Sequence, residues 1–129
     1  MTQEEKQLLL KDLCSRLPYG VKGLHRGQVH ELFTIDGREA NNACIQVDGY
    51  DAWFSVDTFK PYLRPISSMT EEETMEFAKT TIKTPDWYPM WATDWTTDAY
   101  DWLNKNHFDY RGLIPMKLAL EAPEGMYES

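Results

Sequence analysis

The sequence predicts an α+β fold in which an N-terminal helix packs on a small antiparallel β sheet or partial barrel, and C-terminal helices cover it. Three observations predict this: apolar residues at helical spacing near the N-terminus, short apolar runs separated by glycine turns over 21–63, and a helix start at Thr70. The 129 residues, 42% of them hydrophobic, are the size of one domain, 1–129. We expect 1–66 to form the helix and β unit and 67–129 a helical, acidic, aromatic-rich part.

The first helix is predicted to span 3–16. Thr2 is a suitable N-cap residue, and Glu4 and Glu5 would complement the helix dipole in the first turn. Pro18-Tyr19-Gly20 ends the pattern. The apolar residues that follow helical spacing are Leu9, Leu10, Leu13, Cys14 and Leu17.

Residues 21–63 have the pattern of short strands. Asp36-Gly37 and Asp48-Gly49 are turn signals, and five of the seven glycines lie between Gly20 and Gly49. We expect three to five antiparallel strands, too few for a sandwich. The predicted runs are Val21–Ile35, Ala43–Val47, Trp53–Val56 and Phe59–Leu63.

The second half has a helical pattern. Thr70 and Glu73 have the spacing of a capping box, which predicts a helix over 71–83. Its expected apolar stripe contains Met75, Phe77, Ala78 and Ile82. A second helix is expected from Met90 or Trp91 to Asn106, with a short turn capped by Asp109 and ending at Ile114. The tail 118–129 is expected to be irregular.

Charge limits the possible partners. The net charge is −8, and it is concentrated in 70–129, where 5 basic and 12 acidic residues give −7; residues 1–69 have 8 and 9, giving −1. The acidic half disfavours direct binding to nucleic acid. No apolar run approaches the ~20 residues that span a bilayer. The polar, acidic N-terminus with its Met1 argues against a secretory leader.

Cys14 and Cys44 are interpreted as buried, reduced thiols, because the first falls on the apolar side of the predicted helix and the second in a predicted strand. Reduced thiols without a leader predict a cytoplasmic protein.

The residues do not predict a cofactor, metal or catalytic site. His25 and His30 are five apart, so on one regular strand they would point to opposite faces. The serines and cysteines lack the neighbours of an activated nucleophile, and no phosphate-binding glycine loop is present. Four carboxylates could form a glycosidase pair, but their spacing equally fits a solvated helix face. They are Asp94, Asp98, Asp101 and Asp109.

An aromatic-acidic segment at 86–101 is the predicted partner-binding surface. Aromatic rings would supply buried area, and the acids would steer a basic protein partner of unknown identity. This favours a non-enzymatic protein that acts by protein–protein contact. An acidic nucleic-acid mimic that inhibits a DNA-binding protein, and a small enzyme, are the alternatives. The predicted partner-binding residues are Trp87, Tyr88, Trp91, Asp94, Asp98 and Asp101, with Tyr62 and Arg64 at the joint between the two parts.

Two resemblances add to this reading. Trp53-Phe54-Ser55-Val56 followed by Phe59-Lys60-Pro61 resembles the closing segment of Src-homology-3-like and Tudor-like barrels, which implies a fold and no partner. Longer motifs resemble a group of short uncharacterised proteins of gut anaerobic bacteria and their phages and mobile elements. That resemblance implies a bacterial, intracellular accessory protein, and it implies no catalytic residue; the group often has glycine at the position of Lys117. The motifs are RLPYGVK, KPYLRPISSMTEEE, YDWLN with HFDYRGLI, and LALEAPEGMY.

Overall fold

The architecture is α+β, as predicted. The computed structural model describes residues 1–37, 43–81 and 97–127. Within them, one mixed sheet has the strand order β4-β3-β2-β1-β5-β6, and β7 also pairs with β5. The elements in chain order are α1 (Gln3–Arg16), β1 (Lys22–His25), β2 (Gln28–Asp36), β3 (Cys44–Val47), β4 (Phe54–Ser55), β5 (Phe59–Pro65), α2 (Glu71–Thr81), α3 (Thr97–Lys105), β6 (Phe108–Asp109) and β7 (Leu120–Glu121).

The two predicted helix starts form through local hydrogen bonds. In α1, the Glu5 amide donates to the Thr2 hydroxyl, and the Thr2 amide donates back to the Glu5 carboxylate. In α2, Thr70 and Glu73 make the same reciprocal pair at 3.1 and 3.0 Å. Each box satisfies two amides that a helix start otherwise leaves without partners, so both helices begin where predicted.

The helix ends agree with the prediction where they are described. α1 ends at Arg16 as expected, and α3 ends at Lys105, one residue before the predicted end. α2 is described to Thr81, and its last two predicted residues lie outside the described ranges. The predicted start of the second C-terminal helix, at residue 90 or 91, also lies outside them.

Strands β1 to β5 form the predicted antiparallel unit. Each of the pairs β1–β2, β2–β3, β3–β4 and β1–β5 is antiparallel. The register shifts between Leu32 and Thr34, which bends β2 so that it pairs with both β1 and β3. A 3-10 turn, Val56–Thr58, leads into Phe59-Lys60-Pro61 at the start of β5.

The hydrophobic core lies between α1 and the sheet. Leu9 and Leu13 of α1 are fully buried against strand residues such as Ile45, Phe59 and Leu63. Residues from the C-terminal part close the same core: Leu113, Leu118 and Ala119. Gly23 makes this packing possible, because a Cβ there would lie 2.3 Å from the Phe59 ring.

The tail beyond Leu118 is more ordered than predicted. β7 pairs in parallel with β5, as does β6, and α2 and α3 lie in the crossover between β5 and β6. The Asp109 carboxylate accepts from the amides of Leu113 and Ile114 at 2.9 Å each, which is the predicted cap. The prediction of an irregular tail was wrong at Leu120–Glu121 because parallel pairing depends on distant residues.

Two side-chain predictions were also wrong. Cys14 was expected on the buried side of α1, but it is exposed, and Asp12 and Arg16 are fully buried instead. Met75 was expected in the apolar stripe of α2, but it is 66% exposed. Both errors arise from treating apolar character as burial. In α1 the buried face contains the Asp12–Arg16 ion pair beside Leu9 and Leu13, in the place expected for Cys14.

Candidate functional site

A cluster of four rings lies where the β1–β2 hairpin meets the connection from β3 to β4. We call it the hairpin cluster; it contains His25, His30, Tyr50 and Phe54. The His25 and Phe54 ring centroids are 4.4 Å apart, and His30 and Tyr50 are 5.3 Å apart in an edge-to-face arrangement. His25–His30 and Tyr50–Phe54 are each separated by 6.0 Å. These spacings are those of favourable aromatic pairs.

The hairpin turn brings the two histidines together. Arg26 and Gly27 have φ angles of 52° and 80°, the left-handed pair that a tight two-residue hairpin requires. His25 pairs across the hairpin with Gln28, and His30 is two residues further along β2, so both histidine side chains lie on the same face. The prediction that they point to opposite faces was wrong because it assumed one continuous strand.

His25 forms the buried floor of the cluster. It is 1% exposed, and its Nδ1 lies 3.3 Å from the Thr58 carbonyl oxygen, which can only accept. Nδ1 is therefore the protonated nitrogen, and Nε2 keeps a lone pair with no hydrogen-bond partner among the described residues. Burial is the main cause that lowers the pKa of His25, so the ring is neutral near pH 7.

The rim of the cluster combines rings with carboxylates. Tyr50 is 47% exposed, and the neighbouring Trp53 is 49% exposed. The Asp48 carboxylate lies 3.3 Å from His30 Nδ1 and also accepts from the Glu31 amide at 2.8 Å, which orients it beside the rings. One cationic group of the protein lies against these rings: the Arg26 guanidinium is 4.6 Å from the centre of the Phe54 ring.

The predicted joint residues have internal partners. Arg64 donates to both Glu73 carboxylate oxygens at 2.7 Å and stacks 4.2 Å from the Phe108 ring centre, so it ties β5 to the start of α2. Tyr62 is half-buried, and its carbonyl accepts from the Tyr127 hydroxyl at 2.7 Å. These contacts indicate that both residues help to hold the fold together.

The rest of the predicted surface is described in part. Asp98 and Asp101 are exposed on α3, as a solvated acidic face requires. In the described part of the chain, neither forms a hydrogen bond or ion pair with Tyr62 or Arg64. Trp87, Tyr88, Trp91 and Asp94 lie outside the described residues.

Sequence reasoning missed the hairpin cluster, although a signal was present. Arg26-Gly27 lies between two runs of β-forming residues and has the length of a two-residue hairpin turn. A hairpin turn at this dipeptide would place both histidines on one face of the sheet. Tyr50 and Phe54 could not be added from sequence, because their place depends on how β3 and β4 close against the hairpin.

Residues 1–37, 43–81 and 97–127 contain no group of three or more His, Cys, Asp or Glu side chains that could bind a metal ion. None of the described helices is both long and apolar enough to cross a bilayer. Comparison of the chain with family models, curated proteins and solved structures finds no match.

Proposed function

We propose that this protein acts, without catalysis, by binding a basic segment of another protein in the cytoplasm. The observation that supports this best is the rim of the hairpin cluster, where the half-exposed ring of Tyr50 lies beside the oriented carboxylate of Asp48. Rings supply area and rigid shape at a protein interface, and carboxylates select a cationic partner. Cys14 and Cys44 are not joined by a disulfide, which is consistent with the cytoplasm.

The charge of the chain supports the choice of a basic partner. With a net charge of −8, the protein attracts cationic segments at long range and repels acidic ones. At short range, Arg26 over Phe54 shows how a guanidinium uses this ring surface. A lysine or arginine of the partner would contact the Tyr50 ring in the same way. The carboxylates of Asp48 and Asp51, in the same turn, would attract its charge.

The proposal keeps the chemistry expected from the sequence, aromatic rings with acids, and adds the hairpin cluster as its best-supported location. The segment 86–101 remains a second predicted location. Trp91→Ala tests that segment, and Tyr50→Ala tests the hairpin cluster, so the two locations can be compared in one assay.

The experiment is a titration of the full chain with a short lysine- and arginine-rich peptide, followed by amide chemical shifts, with a glutamate-rich peptide of equal length as the ligand control. We expect shifts at residues 48–54 and a roughly tenfold weaker affinity for Tyr50→Ala, the loss of about 1.4 kcal/mol. Phe33→Ala is the matched control, because Phe33 is 68% exposed on β2 and lies outside the cluster.

Equal binding of the two peptides would contradict the basic partner. A loss of affinity in Trp91→Ala alone would place the contact on the segment 86–101. A loss of affinity that merely follows a lower melting temperature would assign the mutated ring to the core.

A further inference from the structure

We propose that a cleft between the end of α3 and the start of β1 binds a phosphate group, either inorganic phosphate or a phosphate monoester. This basic cleft has a volume of about 400 Å³, and its polar lining includes Lys22, Arg64, Lys105, Asn106 and His107. Lys22 and His25 are the two ends of β1, so the cleft is separate from the hairpin cluster.

The lining of the cleft is positive in a chain that is strongly negative. Among the described residues, three basic side chains and no Asp or Glu line it, although the whole chain has 21 acidic and 13 basic residues. Lys105 has no ion-pair partner among the described residues, and the Lys22 ammonium donates to the Met126 carbonyl at 3.3 Å. Two lysine charges are therefore available to an anion.

Two acids near the cleft, Glu73 and Glu31, are not part of its lining. Both carboxylate oxygens of Glu73 accept hydrogen bonds from Arg64, so the charges of these two side chains cancel each other. The Glu31 carboxylate lies next to Gly20, with its Oε1 2.8 Å from where a Cβ of that glycine would be. Glu31 reduces the local potential, but it is not part of the lining.

His107 gives the cleft a buried group that lacks a partner. It is 4% exposed, and among the described residues its Nδ1 has no hydrogen-bond partner. Such a group costs about 1–3 kcal/mol unless a ligand or water satisfies it. The φ angle of His107 is 62°, in the left-handed region that favours glycine, so its backbone is strained.

The protonation of His107 favours phosphate among the oxyanions. Burial lowers the pKa of His107, so the ring is neutral near pH 7 and one of its two nitrogens keeps a lone pair. A lone pair accepts a hydrogen bond, so it needs a ligand that has an O–H group as well as negative oxygens. Near neutral pH every inorganic phosphate ion keeps at least one O–H group, whereas a phosphate monoester keeps one on only part of its population, since its second pKa is about 6. Sulfate has the same shape and no proton, so it is the matched ligand control.

Tyr127 forms a wall of the cleft. Its ring stacks on the ring of His107, with 3.8 Å between the two centroids. Its hydroxyl forms hydrogen bonds with the backbone of Lys22 and of Tyr62. The hydroxyl accepts from the Lys22 amide at 2.9 Å, which fixes the backbone that presents the lysine. The cationic groups are therefore positioned before a ligand arrives, which lowers the entropic cost of binding.

The test is an amide chemical-shift titration of the full chain with sodium phosphate, sodium sulfate and glycerol phosphate at constant ionic strength. We expect saturable shifts at Gly20, Lys22 and 105–107, with phosphate binding at least about fivefold tighter than sulfate. Lys105→Gln should weaken phosphate binding by about five- to tenfold. Lys60→Gln, an exposed lysine outside the cleft, should leave it unchanged.

Both variants change an exposed side chain, so folding can be verified by melting temperature before the titration. Tighter binding of glycerol phosphate than of phosphate would assign the site to a monoester, and the reverse would assign it to inorganic phosphate. Shifts that do not saturate, equal affinity for phosphate and sulfate, or an equal loss in Lys60→Gln and Lys105→Gln would each overturn the proposal.

Discussion

The carboxylate of Asp12 on α1 accepts a hydrogen bond from the guanidinium of Arg111 at 2.8 Å, across 99 positions of the chain. The same carboxylate accepts from Arg16 Nε at 2.8 Å, and Arg16 also donates to the Phe108 carbonyl at 2.6 Å. Asp12 and Arg16 are both fully buried. One buried carboxylate therefore joins the first helix to the C-terminal part through two arginines.

Asp12→Asn should lower the free energy of unfolding by about 3–5 kcal/mol, because it leaves the buried Arg16 charge without its counterion. Urea unfolding followed by circular dichroism measures this loss. Asp57→Asn is the control, because the Lys6–Asp57 pair is partly exposed at 3.5 Å, and its loss should cost less than about 1 kcal/mol. Similar losses in the two variants would contradict a structural role for the buried pair.

Tyr127→Phe should destabilise the protein by about 1–3 kcal/mol, because it leaves the Lys22 amide and the Tyr62 carbonyl without their hydroxyl partner while keeping the ring. Burial raises the pKa of Tyr127, so its folded form holds the proton more tightly than the unfolded chain. The stability that this gives is present below about pH 10 and is lost as the pH rises further. Between pH 8 and 11, the melting temperature should fall less steeply in Tyr127→Phe than in the wild type. Tyr19→Phe is the control, and its melting temperature should fall as that of the wild type does.

Gly23→Ala should cost about 3 kcal/mol or more, because the added methyl would lie 2.3 Å from Phe59 Cζ and 2.7 Å from the Lys60 carbonyl oxygen. Gly49→Ala is the comparison, since no atom lies within 4 Å of its Cβ position and only its φ of 84° opposes the change. That variant should lose about 1 kcal/mol. Chemical denaturation of both proteins separates the cost of the clash from the cost of the backbone angle.

Acidification should destabilise the protein between about pH 6.5 and pH 4 through His107. Burial, and then the charges of Arg16, Arg64 and Lys22, lower its pKa to about 4. In this window the unfolded chain takes up a proton that the folded protein does not, so stability falls by up to about 3 kcal/mol as the pH falls. His25 contributes in the same direction, because burial lowers its pKa too.

His107→Asn isolates this effect, since asparagine tolerates the left-handed backbone and does not titrate. Unfolding free energies at pH 7, 6 and 5 should show a shallower pH dependence in the variant than in the wild type. An unchanged slope would mean that His107 takes up protons equally in the folded and the unfolded protein, which would contradict its lowered pKa.

Features set by neighbouring residues could be predicted from the sequence. The Thr2 and Thr70 caps and the end of α1 depend on residues within one helical turn, and each formed where expected. The antiparallel unit was also predictable, because glycine turns and short apolar runs are local signals.

Features that depend on distant residues were missed. The burial of Arg16 requires the Phe108 carbonyl, 92 positions away, and nothing near Arg16 in the sequence indicates it. The hairpin cluster needs Tyr50 and Phe54 to close on a turn made by Arg26 and Gly27. Tertiary contacts of this kind override the local preference that placed Cys14, rather than Asp12, inside the protein.

The parallel pairing of β6 and β7 with β5 has a consequence for biosynthesis. Residues 59–65 emerge from the ribosome well before residues 108–121, which supply their parallel partners. Until then the nascent chain exposes backbone groups of β5 that can pair with other chains, and the final sheet must wait for contacts of large sequence separation. Truncation before residue 120 should therefore yield a product prone to aggregation.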